Sequence, residues 1–317
     1  MIFVILFCIL HQVIISKESG CGCNVNRGEG ANLAKENMFS NPNSDDQCPV
    51  GHDSNNKYSV VEEISKFDGM ILVPANEYQV GTDDIAIESD QEGPKRLVKL
   101  KSFYLDKYEV SNMDFANFIN NTKYKTEAEQ FGDSFVFSAF LNSTFKEELK
   151  DFRAVQAVWW YKVLGFQIDV HGRLYCWRGA RLPTEAEWEA ACRGGHRDFT
   201  YPWGDKLFPG RKHMANIWQG TFPTHNSAKD GFIGTCPVNM FPPNDFGLYN
   251  MAGNVWEWTE DSWAGKNVII PKEKVKKGGS YLCHLSYCYR YRCSSRSHNT
   301  EDSSAGNLGF RCAMSAK

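Results

Sequence analysis

Apolar positions along this chain come in short bursts divided by stretches rich in Gly, Pro, Asn and Trp. The first burst runs from Ile2 to Leu10, with a mixed tail to Ile15. It is shorter than the roughly 20 residues a bilayer span needs, and polar sequence follows at once. It has the form of a secretory signal peptide over residues 1–19, although the amino terminus is the sole positive charge ahead of it. Residues 20–66 carry few large apolar side chains among Asn, Ser, Asp, Gly and Glu, and read as a disordered N-terminal extension. Gly69-Met70-Ile71-Leu72-Val73-Pro74 predicts the first strand, and Gln79-Val80-Gly81 a second. Arg96-Leu97-Val98-Lys99-Leu100 alternates and predicts a third.

Two helices are signalled. Ser111 is placed to cap one that carries Phe115, Phe118 and Ile119 on a single face. The other lies in RLPTEAEWEAACRGG, where Thr184 and Glu187 have capping-box spacing and Gly194-Gly195 ends the run. Cys192 falls in its last turn. Beyond Gly195 few segments reach helix length. No fixed-period repeat and no second linker interrupts residues 67–317, which read as one domain.

The formal net charge of −3 gives no electrostatic reason to expect nucleic acid or an anionic membrane as partner. Aromatic residues make up 14% of the chain, which favours an irregular, loop-rich fold packed by large rings. Two sequons, Asn120-Asn121-Thr122 and Asn142-Ser143-Thr144, agree with a secretory route. In that route the cysteines meet an oxidising lumen. Ten remain once Cys8 leaves with the signal peptide, in a chain too large to need disulfides for its core.

Three of the ten stand five residues apart in GGSYLCHLSYCYRYRC: Cys283, Cys288 and Cys293. Disulfide halves, a metal site and a redox centre all share this appearance. On a strand, positions i and i+5 face opposite sides, and on a helix they lie about 140° apart. Cys283 and Cys288 therefore meet only if the chain bends through His284-Leu285-Ser286-Tyr287. Paired thiolates are soft ligands that select copper(I), yet on the residues alone a plain disulfide, or two halves of different disulfides, is the better reading. Two oxygen-rich loops have the makings of hard-cation sites. Asn216 and Asp230 offer side chains beside the carbonyls of Ile217 and Phe232. Asn250 and Glu257 do so beside the carbonyls of Gly253 and Val255. Turn-forming Asn and Asp is the simpler account of both.

The runs RLPTEAEWE, YPWG, ANIWQG, GLYNMAGNVWEW, GGSYLCHLSYCYRYRC and NLGFRC stand in the order found in the formylglycine-generating enzymes, which the chain resembles from about residue 69 onward. The resemblance implies a single compact α+β domain with little regular secondary structure, related to C-type-lectin folds. It implies an enzyme of the endoplasmic reticulum lumen that oxidises the cysteine of Cys-x-Pro-x-Arg in unfolded sulfatases to Cα-formylglycine. Molecular oxygen is the oxidant, activated at copper(I) held by the residues matching Cys283 and Cys288. Ser280 and Tyr287 match family residues beside the copper pair, His284 could act similarly, and Trp256 would wall the substrate pocket. The two oxygen-rich loops match the family's calcium sites. Disulfides are implied for Cys176 with Cys312 and Cys192 with Cys293. Cys21 and Cys23 resemble the N-terminal pair of the animal enzymes, which suits retention by mixed disulfide with a lumenal thiol oxidoreductase. Cys48 and Cys236 have no family partner.

One region departs from the family. Between Trp159-Trp160-Tyr161-Lys162-Val163 and Cys176 the chain has only Leu164 to Tyr175, where relatives carry a longer segment that contributes to the peptide groove. This predicts lowered stability and weakened peptide binding. Two other classes compete with the enzyme: a non-catalytic sulfatase-binding paralogue, which would lack the cysteine pair, and a lectin-like module, which would leave the cluster of Ser280, Cys283 and Cys288 unexplained.

Overall fold

The computed structural model describes residues 67–126, 129–130, 133–134, 137, 155–156, 178–263 and 273–316. The expected signal peptide, the expected extension with Cys21, Cys23 and Cys48, the segment 164–175, the sequon at Asn142 and Cys176 lie outside these residues.

Strands β1 (Met70–Val73), β2 (Asn76–Val80), β3 (Arg96–Leu100) and β4 (Phe103–Asp106) open the described part. β2 and β3 form an antiparallel pair with Tyr78 opposite Val98. Helix α1 (Asn112–Thr122) follows, and Ser111 caps it as its spacing predicts, with Asp114 completing a capping box. Phe115 and Phe118 are its buried face, and Asn120 is exposed near its end. The two-residue strands β5 (Asp133–Ser134) and β6 (Val155–Gln156) pair with each other.

Helix α2 (Glu185–Cys192) has the capping box read from the sequence: Glu187 N donates to Thr184 Oγ1 at 3.2 Å, and Thr184 N to Glu187 Oε2 at 2.8 Å. Asn244 Nδ2 donates to the Ala191 and Cys192 carbonyls at 2.7 and 3.1 Å, taking up two of the acceptors a helix end leaves free. Trp188 is fully buried.

The second half is mostly loop. β7 (Gly220–Thr221) pairs with β8 (His225–Asn226). β9 (Trp256–Ser262), β10 (Glu273–Lys277), β11 (Arg296–Thr300) and β12 (Leu308–Gly309) form a four-stranded sheet in the order β11-β10-β9-β12. β12 is parallel to β9, and the other two pairings are antiparallel. β13 (Ala313–Ser315) returns the C-terminal end to β4, making the three-stranded sheet β1-β4-β13. Few helices and mixed sheets make this an α+β domain.

Strand alternation on β9 divides the core. Trp256 and Trp258 point into a cluster with Cys283, Cys288, Tyr291 and Phe310. Glu257, between them, faces Trp188, which belongs to a second cluster with Val73, Phe103, Leu105 and Cys293. No helix among the described residues is long and apolar enough to cross a membrane.

Candidate active site

Cys283 and Cys288 come together because the chain turns between them. Cys283 N donates to Ser280 O at 2.9 Å, and Cys288 N to His284 O at 2.8 Å. The α-carbons stand 4.8 Å apart and the sulfurs are bonded to each other. The bend expected of His284 to Tyr287 is present, and the pair takes the form of the plain disulfide that the residues alone favoured. Both cysteines are fully buried.

Ser280 Oγ lies 4.0 Å from Cys283 Sγ. It accepts from Asn307 Nδ2 at 3.0 Å and from Leu282 N at 3.3 Å. A hydroxyl has two acceptor lone pairs and one proton, so these donors leave the Ser280 proton to be given away. Tyr287 donates its hydroxyl to the Leu282 carbonyl and stacks on Phe222 at 4.1 Å between centroids. Trp218 meets Phe222 edge-on at 5.1 Å, and Trp218 N donates to Cys283 O at 3.0 Å. His284 is partly exposed. Its Nδ1 accepts from Ser286 N at 3.2 Å, which places the neutral ring's proton on Nε2. Trp256 is wholly buried in the cluster that holds the two sulfurs, instead of lining an open pocket, and its Nε1 has no partner among the described residues.

The rest of this loop is held from far along the chain by residues the sequence reading missed. Arg292 Nη1 donates to Glu92 Oε2 at 2.9 Å, and Arg290 Nη2 to Asp90 Oδ1 at 3.0 Å. Cys293 is bonded to Cys192 of α2, with α-carbons 5.6 Å apart. At the loop's start, Lys277 Nζ donates to Glu189 Oε2 at 3.2 Å. Burial alone would raise Glu189, but Lys277 and Arg193 beside it hold its carboxyl below the usual range. A cavity of about 150 Å³ lined by Glu92, Arg96, Glu185, Glu189 and Arg296 adjoins this network and does not include the sulfur pair.

Cys312 is a free buried thiol among the described residues, and Cys176, its implied partner, lies outside them. The Cys312 backbone N–H donates to Asp106 Oδ2 at 2.9 Å, and the Asp106–Arg178 ion pair surrounds it. Burial and Asp106 push the thiol well above its usual value. Cys236 is also free and buried, and burial pushes it up to about 12.

In the first oxygen-rich loop Asp230 Oδ2 and Oδ1 accept from the backbone N–H groups of Ile217 and Phe232, both at 3.0 Å, which draws these two residues round the carboxylate. Each carboxylate oxygen keeps a lone pair, and burial raises the Asp230 carboxyl, a cost that a cation would offset. Asn216 Nδ2 donates to Gly234 O at 2.8 Å and to Asn254 Oδ1 at 3.2 Å.

In the second loop Glu257 is already engaged. Trp188 Nε1 donates to Oε2 at 2.7 Å, and Arg311 donates to both oxygens at 2.7 Å. Asn250 Oδ1, however, is buried and without a partner among the described residues. Gly253 has φ +78°, and a Cβ there would collide with the Asn216 carbonyl, so only glycine lets the two loops touch. Among the described residues no three of His, Cys, Asp and Glu converge as a metal-ligand group. A cation here would rely on amide and backbone oxygens beside single carboxylates, a donor set that suits calcium.

The sequence matches the Sulfatase-modifying factor enzyme 1-like domain family over residues 57–316. It is 49% identical over 277 residues to the formylglycine-generating enzyme of Bos taurus, covering 77% of this chain and 74% of that protein. It is also 41% identical over 274 residues to the inactive C-alpha-formylglycine-generating enzyme 2 of Bos taurus, covering 78% and 88%. Among solved structures, PvdO from Pseudomonas aeruginosa shares the fold, with a TM-score of 0.56 at 23% identity over 78% of this chain and 94% of that one.

Proposed function

The chain belongs to the family of sulfatase-modifying, formylglycine-generating proteins, and from that membership we propose that it oxidises the cysteine of Cys-x-Pro-x-Arg in unfolded sulfatases to Cα-formylglycine. The observation that carries this reading is the meeting of Cys283 and Cys288 in one buried turn beside Ser280. Fold alone does not decide, because the inactive relative is similar over the same length.

The conversion breaks the C–S bond and one C–H bond of the substrate's β-carbon, forms C=O there and releases the sulfur as hydrogen sulfide, which removes two electrons and two protons from the substrate. Reduction of molecular oxygen to water consumes four, and a lumenal thiol reductant supplies the other two. Once the bond between Cys283 and Cys288 is reduced, two sulfurs on a short turn fit a soft, two-coordinate copper(I) ion. When bound, copper(I) supplies the one-electron chemistry that lets oxygen react with a thiol. The remaining work belongs to the chain. Cys283 and Cys288 hold the ion. Ser280, its lone pairs taken by Asn307 and Leu282, gives its proton toward the reacting atoms. Tyr287 fixes the turn through Leu282 O, and its stack with Phe222 keeps water away. The wholly buried Trp256 and Trp258 pack the apolar side.

Calcium is the proposed occupant of both oxygen-rich loops, with Asn216, Ile217, Asp230 and Phe232 around one and Asn250, Gly253, Val255 and Glu257 around the other. The unpartnered Asn250 Oδ1 supports this for the second loop. The apolar N-terminus and the ten remaining cysteines support passage into the endoplasmic reticulum lumen, with retention by a thiol oxidoreductase bonded to Cys21 or Cys23.

Mass spectrometry of a Cys-x-Pro-x-Arg peptide, incubated with the purified protein, copper(I), a thiol reductant and oxygen, tests the reading. The expected product is the aldehyde, lost in Cys283→Ser and in Cys288→Ser. An unchanged peptide with the copper-loaded protein would place this chain with the inactive relatives.

A further inference from the structure

Behind the second oxygen-rich loop lies a carboxylate that belongs to neither loop, and the second loop's Asn254 links it to Asn216 of the first. Glu109 lies just ahead of α1 and is 1% exposed. Its Oε2 accepts from Asn250 Nδ2 at 3.2 Å and its Oε1 from Asn254 Nδ2 at 3.1 Å. Asn254 Oδ1 in turn accepts from Asn216 Nδ2 at 3.2 Å. One chain of side-chain hydrogen bonds therefore runs from Asn250 through Glu109 and Asn254 to Asn216. Asn250 and Asn254 have φ +49° and +57°, a left-handed region that asparagine enters more readily than most side chains.

Charge singles out the same residue. Glu109 and Glu257 are both buried, and Arg311 is the buried guanidinium facing them. Arg311 spends its hydrogen bonds on Glu257 and on the carbonyls of Asp106, Lys107 and Tyr249. The group holds one more buried acid than base, and burial, opposed by Arg311, pushes the Glu109 carboxyl up to about 8. Because Asn250 gives its Nδ2 to Glu109 and to Val238 O, its Oδ1 is turned to the side where no partner stands.

We infer that Glu109 is a positioning residue that couples the two cation loops, so that occupancy of one raises the affinity of the other. The inference rests on the calcium reading above. Its consequence reaches the sulfur pair, because each loop bonds to that turn's backbone. Tyr281 N donates to Asn254 O at 2.9 Å, and Trp218 N, next to Ile217, to Cys283 O at 3.0 Å.

Calorimetric titration of the full chain with calcium tests the coupling. Wild type is expected to bind two ions with positive cooperativity. Glu109→Gln, which keeps the shape and removes the carboxyl group, is expected to weaken the second loop about tenfold and to abolish the cooperativity, a loss within the usual range of coupling between sites. Asp230→Ala should lower second-loop affinity in wild type and leave it unchanged on a Glu109→Gln background. If Glu109→Gln fails to fold, as read by near-ultraviolet circular dichroism, Glu109→Asp withdraws the carboxylate by one methylene and should lose the same coupling. Two ions bound with unchanged affinity and cooperativity in the variant would overturn the inference and leave the calcium reading standing. No calcium bound by wild type would overturn both.

Discussion

The turn holding Cys283 and Cys288 and the loops around Asp230 and Asn250 are neighbours of similar irregularity, but they are built on opposite principles. The turn is made locally: six consecutive residues close it with their own backbone hydrogen bonds. Distant partners such as Glu92 and Cys192 only fasten its flanks. The oxygen-rich loops are made at long range, since Glu109, the carboxylate behind the second of them, is separated from Asn250 by 141 residues. A local device survives damage elsewhere, whereas a long-range one fails when any single strand of the arrangement is lost.

Breaking the fastening should have the largest effect. The Cys192–Cys293 bond spans 101 residues, and the chain-entropy account gives it about 4 to 5 kcal/mol, against about 2 kcal/mol for the short loop closed by Cys283 and Cys288. Urea unfolding of Cys192→Ser should show the larger loss. Equal losses in Cys192→Ser and Cys283→Ser would mean that the flanks and the turn are not separate devices.

Glu92→Ala comes next. It leaves the guanidinium of Arg292 buried without its partner, and removing one member of a buried pair costs about 3 to 5 kcal/mol. A cost below 1 kcal/mol in the same titration would show that the turn does not depend on the Glu92 segment.

Calcium removal sharpens the other side of the comparison. An ion at a hundredfold excess over its Kd adds about 2.7 kcal/mol, so chelation should lower the melting temperature of wild type and do less to Asp230→Ala. An unchanged melt on chelation would remove the ion from the long-range region.

The smallest effect is a change of slope with pH. Glu189 is held below its ordinary value by Lys277 and Arg193 despite its burial. Its contribution is therefore fully present above the unfolded carboxylate range near 4.5 and is lost as pH falls below it toward the folded value. Between pH 6 and 3 wild type should lose stability faster than Glu189→Gln. Parallel curves would mean that Lys277 is not anchored through this charge.

The correspondence between sequence and structure follows the same division. Arg96–Leu100, both helix caps and the bend between Cys283 and Cys288 were legible because each depends on residues a few positions apart. Asp90, Glu92, Glu109 and Asn307 gave no signal, because nothing near them in the chain marks an acid or amide that will be buried. Glu257 was legible as an oxygen donor, but its engagement by Trp188 and Arg311 was not. The placing of Cys312 beside Asp106 and Arg178 gave no signal either.

By itself, then, the sequence determined the first three short strands, two capped helices, and that two cysteines five residues apart would meet only if the chain bent between them. These are consequences of local backbone geometry and of hydrogen bonds with short reach. Only the tertiary structure decided which carboxylates are buried, which cations answer them, and which amide oxygen is left without a partner. Those outcomes depend on desolvation, which a residue acquires only when distant parts of the chain close over it.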